Sequence, residues 1–195
     1  MIAQEILNNT LPLISGMKVE KDKDFDTLLT HFNFAKNRIA RDTFLWIGGE
    51  TITLTEENIY TLSTLPLQII EVYDDSLQIR PRNTMNYLGY TQISPNQIHV
   101  NTPEVGVVLN INYYEEPEDY TLVDEVLIPK DLIEAMQHYV AYRVYSVYKS
   151  EKEDSKKALH LQEYNKLVDE YLSKTDMNDL NSIEETDLIF QKGLV

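Results

Sequence analysis

The sequence predicts an α+β protein: a helical bundle of about four helices, an inserted small antiparallel β domain and an extended C-terminal arm. Three observations predict it. Apolar residues recur three and four apart near both ends of the 195-residue chain, as helices with one buried face require. Between Thr43 and Tyr120 the period falls to two, with β-branched and aromatic residues alternating between turn-forming clusters. The last twenty residues are acidic and polar until a short apolar group closes the chain. The expected boundaries are 1–42 and 128–175 for the helical domain, 43–127 for the β domain and 176–195 for the arm.

Taken in order, Ile6, Leu7, Leu11 and Ile14 give a short first helix, with Gly16 as its stop. After the charged "KVEKDKD", a second helix from Phe25 to about Phe44 carries Leu28, Leu29, Phe32, Ala35, Ile39 and Ala40 on one stripe. In "GVVLNINYY", Val107, Leu109, Ile111 and Tyr113 point one way. Val108, Asn110, Asn112 and Tyr114 form the other face, half polar and therefore wet or turned to a partner. "TFLWI", "QIIEV", "LQIRP" and "QIHVN" read as further strands, with "VYDDSLQ" as a tight hairpin, so a small antiparallel sheet or sandwich results.

Helix returns from Ile128 to Ser150, with Pro129 at the first helical position and Asp131 in the first turn, where the macrodipole favours an acid. Beyond "KSEKEDSKK", Ala158, Leu161, Tyr164, Val168, Tyr171 and Leu172 continue the helical spacing. The two helices form a hairpin or, since neither Gly nor Pro falls between Lys130 and Lys192, one long rod. The arm ends on Leu188, Ile189, Phe190, Leu194 and Val195.

Composition narrows the function. A net charge of −15 argues against wrapping duplex DNA or docking on anionic lipid, which both reward clustered Lys and Arg. No apolar run approaches a membrane span, and the N-terminus lacks the basic and apolar regions of a secretory signal, so the chain reads as soluble and unprocessed. Without cysteine there are no disulfides, thiolate catalysis or Cys-ligated zinc, which fits a reducing compartment.

A search for chemistry returns nothing specific. His31, His99, His138 and His160 fall in four different elements, and Glu134 four residues before His138 reads as a helix-surface pair, so no metal site is expected. "IGGE" lacks the strand, loop and helix context of a phosphate cradle, and no cofactor is expected. Glu115, Glu116, Glu118 and Asp119 have the composition of a solvated loop, where nothing shifts a carboxyl toward catalysis. No serine sits in a nucleophile elbow, and no catalytic residue is expected.

Tyr139, Tyr142, Tyr145 and Tyr148 follow one another at three-residue spacing, which drifts around a helix and cannot keep four rings on one stripe. Two accounts stand. Either the helix is a thick core element with hydroxyls at its rim, or it is buried partly within the subunit and partly between subunits, where Tyr is a favoured anchor.

The order of parts is more telling than any one of them. Two N-terminal helices, a β region entered through "FLWIGGETITL", then "LPLQIIEVYDDSLQIRP", "ISPNQIHVNTPEVGVVLNINYYEEP" and "LIPKDLIEAMQHYVAYRVY" resemble, over about residues 20 to 172, the head-to-tail adaptor family of tailed bacteriophages. Members are also called tail tubular or head-completion proteins. The resemblance implies a structural protein without catalysis, located in the virion at the portal vertex between capsid and tail. It implies a homo-oligomer, most often a twelve-subunit ring, whose partners are the portal protein and other tail or ring proteins. Genomic DNA would pass through its channel without specific binding. It also implies that the tyrosines lie at subunit boundaries and that the arm, tipped by Phe190 and Leu194, grips a portal or a neighbour. Two other classes remain open: an acidic DNA mimic that fills a basic cleft, and an enzyme whose site is assembled from distant residues. Lysines interleaved in "EKEDSKK" and "KVEKDKD" speak against the mimic, which needs rows of one sign.

Overall fold

A computed structural model describes the backbone of residues 1–14, 21–74, 78–79, 89–101, 105–147 and 151–192, and their side chains apart from those of 21–24, 78–79, 151–152 and 176–192. The chain divides into two units, one of Met1–Thr43 with Asp119–Val195 and one of Phe44–Glu118.

In the helical unit, α1 (Ala3–Thr10) passes into a 3-10 turn (Leu11–Ile14) at Pro12, which has no N–H to carry the α-helix on. Helix α2 spans Lys21–Thr43, α3 Lys130–Val147 and α4 Glu151–Lys192. α3 and α4 are an antiparallel hairpin: Asp131 lies by Lys174, Tyr139 by Tyr164, and Tyr145 by Lys156. α3 is the central helix, touching α1, α2 and α4. Leu132, Ala135, Met136, Val140 and Ala141 on it are fully buried, as are Ile6 and Leu7 of α1 and Phe32, Ala35 and Ile39 of α2.

Residues 119–127, which the sequence groups with the β region, belong to the helical unit. They strap the N-terminus. Asp124 and Leu122 carbonyls accept from the Ala3 and Gln4 amides at 3.0 Å, satisfying donors that the first turn of α1 leaves free. Lys36 on α2, fully buried, reaches Asp119 at 3.0 Å and lies 5.5 Å from the Tyr120 ring centre. Asn33 clamps the Tyr120 backbone, donating to its carbonyl at 3.1 Å and accepting from its amide at 2.9 Å.

The other unit holds two antiparallel sheets. One has the order β1-β7-β3-β4, from Ile47–Thr53, Val108–Glu115, Pro66–Tyr73 and Gln78–Ile79. The second has the order β2-β6-β5, from Ile59–Thr61, Gln97–Asn101 and Gly89–Ser94. Both contribute to one core, with Ile69, Val72, Leu109, Ile111 and Tyr113 from the first and Tyr60, Tyr90, Ile98 and Val100 from the second. The alternation in "GVVLNINYY" holds, since Leu109, Ile111 and Tyr113 are buried and Asn110, Asn112 and Tyr114 are not.

Of the expected strand "TFLWI", only Ile47 is in a strand. α2 runs to Thr43, and Phe44 takes a left-handed φ of 50°, a conformation common just past a helix end. The strand instead runs through the glycine pair, because Gly48 faces a filled space: a Cβ there would come within 2.3 Å of a Glu115 carboxylate oxygen and 2.8 Å of the Tyr113 ring. The Glu115 end can swing aside; the Tyr113 ring, 2% exposed, cannot. Gly48→Ala should therefore cost on the order of 1–3 kcal/mol of the β unit's stability, checked by urea unfolding, whereas a neutral substitution would show that β1 slides away from β7.

Candidate assembly surface

The four tyrosines at three-residue spacing part company. Tyr145 is 1% exposed. Its hydroxyl donates to the Leu13 carbonyl at 3.2 Å and accepts from Lys156 Nζ at 3.3 Å, while its ring stacks on His160 with centres 5.6 Å apart. Tyr145 thus serves the core of its own subunit, at the junction of the 3-10 turn, α3 and α4. Tyr139 and Tyr142 are half-buried, their ring centres 5.3 Å apart. Tyr148 lies outside the described residues, as do the side chains of Leu188, Ile189 and Phe190, and Leu194 and Val195 altogether. The backbone helix of α4 extends to Lys192, through most of the segment expected to form the arm.

Tyr139 also meets Tyr164 of α4 at 5.0 Å. Tyr164 is fully buried, and its hydroxyl donates to Asp42 at 2.7 Å; Arg38 Nε donates to the same carboxylate oxygen at 2.8 Å. Burial, and then the Asp42 carboxylate, push the Tyr164 phenol well above its ordinary range, so it remains a donor and ties α4 to α2.

Two cations lie along the same side of α3. The Arg143 guanidinium sits 4.7 Å from the centre of Phe34, which is 48% exposed, and Lys157 Nζ lies 5.9 Å from the centre of Tyr142. Neither has a carboxylate partner among the described residues. Arg143 also helps burial hold the His31 imidazole below its ordinary pKa. Elsewhere on the helical unit, Val123 and Leu127 of the strap are 74% and 75% exposed beside Asp124 and Glu125.

Sequence reading missed one association. His138 and His160, 22 positions apart, meet Nδ1 to Nδ1 at 3.0 Å across the α3–α4 hairpin. Spacing within one helix could not reveal it, because the pairing depends on the register between two helices. One nitrogen donates and the other accepts, which a neutral pair satisfies and a doubly protonated pair does not. Burial lowers both pKa values; His138 and Lys156 lower that of His160 further, and Glu134 and Glu163 partly restore that of His138. Histidines depressed on folding give stability that is present above about pH 6.5 and lost as pH falls through their lowered native values. The melting temperature should therefore drop between pH 7.5 and pH 5, and His138→Gln with His160→Gln should flatten that dependence. An unchanged slope in the double variant would assign the effect to His31 or to carboxylates.

Among the described residues, no group of three His, Cys, Asp or Glu side chains is placed to hold a metal, and no helix is long and apolar enough to cross a membrane. What the unit presents is a set of surfaces: a cationic and aromatic side of α3, and an acidic, aliphatic strap. The family model for "SU10 adaptor protein" matches residues 1–184, covering the inserted β unit and most of the helical unit. No curated protein matches the chain.

Proposed function

The chain belongs to the SU10 adaptor protein family of phage head-to-tail adaptors, and from that premise we propose that it joins the portal to the tail as one layer of a ring. The observation that carries this reading is the extent of the family match, which takes in both units rather than one common motif. A ring of twelve copies at the portal vertex suits a protein whose role is assembly, and no catalytic role is proposed. The charge of −15 suits a channel through which DNA slides, because an acidic wall repels phosphate. Tyr139 and Tyr142, both half-buried, are assigned with Tyr148 to boundaries between copies, where aromatic rings add apolar contact at little entropic cost. The acidic segment of 176–195 grips the portal or an adjoining protein through its apolar tip.

Quantitative mass spectrometry of purified virions tests this. Copies of the chain should equal copies of the portal protein, and a chain lacking Asp176–Val195 should melt as the full chain does yet be missing from particles. If the full chain were missing from virions, the adaptor role would fail, and a search for a basic partner inside the infected cell would follow.

A further inference from the structure

Resting on the adaptor reading, we infer that copies of this chain meet head to tail, the side of α3 bearing Tyr139, Tyr142 and Arg143 receiving the Val123–Leu127 strap of the next copy. Tyr139 stands three residues before Tyr142 and four before Arg143, so the three make one strip of the helix surface. Phe34 from α2 and Lys157 from α4 border it.

Charge decides what the strip receives. The chain has 32 acidic and 17 basic residues, so two copies brought together at random repel. Arg143 and Lys157 lean on aromatic faces without an acid of their own among the described residues, which leaves both cations to an incoming carboxylate. The strap offers one: the side chain of Glu125 is 71% exposed and lies between Val123 and Leu127, two of the most exposed aliphatic residues described. Among the described residues it pairs with the N-terminal amine at 3.9 Å, and that pair is exposed enough to be worth little. Aliphatic residues with an acid thus face aromatic residues with cations.

The two surfaces lie on different sides of α3. Gln137 and Tyr145 face α1 and the 3-10 turn, which the strap covers at the N-terminal end. At 100° per residue, Gln137 is turned roughly 160° from Tyr139, and Tyr145 roughly 160° from Arg143. Contacts between unlike surfaces on opposite sides of a subunit are heterologous, the kind that builds a ring when the rotation between copies closes and an open filament when it does not.

Because the chain has no cysteine, an introduced pair reports this contact alone. Particles assembled with full chain carrying both Glu125→Cys and Lys157→Cys, treated with a short bismaleimide, should yield a ladder of covalent multimers, and each single variant none. Particles that contain the chain but give no ladder overturn the contact and leave the adaptor reading standing; particles from which even the unmodified chain is missing overturn both. Should the cysteines themselves keep the chain out of particles, charge exchange decides. Lys157→Glu should lower incorporation on the order of tenfold, the effect of about 1.4 kcal/mol, without lowering the melting temperature. Adding Glu125→Lys to the same chain should restore it, and no restoration overturns the contact.

Discussion

Tyr145→Ser should destabilise the free subunit by about 3–5 kcal/mol, the cost of emptying a fully buried aromatic site, while Tyr142→Ser should change it by less than about 1 kcal/mol. The difference is positional. The ring of Tyr145 fills the junction of the 3-10 turn, α3 and α4, and its loss strips the Leu13 carbonyl of a donor and His160 of its stacked neighbour. Tyr142 sits at the rim, half-buried, with Tyr139 and Lys157 against its ring. Urea unfolding followed in the helical unit measures the first effect; incorporation into particles measures the second, which should be lost in Tyr142→Ser despite a sound fold. Similar unfolding losses in both variants would return Tyr142 to the core and withdraw it from the boundary between copies.

Asp119→Ala should cost about 1.5–3 kcal/mol, the worth of a charge-assisted hydrogen bond and more than an exposed carboxylate usually contributes. Its partner explains why. Lys36 is wholly buried, so the acid 3.0 Å away and the Tyr120 ring 5.5 Å away are among the groups that stabilise an ammonium shielded from water, and Asp119→Ala removes the charged one of these two. Lys36→Met keeps the volume and takes the charge away, and should cost much less, because Asp119 is 72% exposed and returns to water. Equal losses in the two variants would mean that packing, rather than charge, holds the strap on α2.

The helices were legible because burial on one face imposes a period, and Leu28, Phe32, Ala35, Ile39 and Ala40 obey it. The sheet was legible in β7, where every second side chain enters the core, and in the β3–β4 pairing, where Val72 opposes Ile79. It was less legible where residue type misleads. Gly48 and Gly49 read as punctuation and lie inside β1, because neighbours occupy the space a side chain would take. β2 and β5 were not anticipated, since "IYT" is short and "GYTQIS" begins on glycine. Lys36 carried a signal, falling on the stripe of Phe32 and Ala40, but a lysine there is ordinarily read as reaching past the edge. His138 with His160 gave none, because contact between helices is set by their register. For the same reason the spacing of the tyrosines did not separate Tyr145, which is enclosed, from Tyr139 and Tyr142, which are not.

The β unit is an insertion whose two ends lie side by side: Ile47 pairs with Tyr114, and the Glu115 amide donates to the Trp46 carbonyl at 3.0 Å. This bears on the order of events during folding. For α2 to find α3 in an unfolded chain, the whole stretch from Phe44 to Glu118 must be closed as a loop. Loop-closure entropy grows with the logarithm of length, and a β unit that has already formed shortens the effective loop to a few residues, which lowers the barrier by about 2 kcal/mol. The inserted unit is therefore placed to act as an internal chaperone for its host: mutations in its core, Gly48→Ala among them, should slow the docking of α3 on α2 even though they touch neither helix.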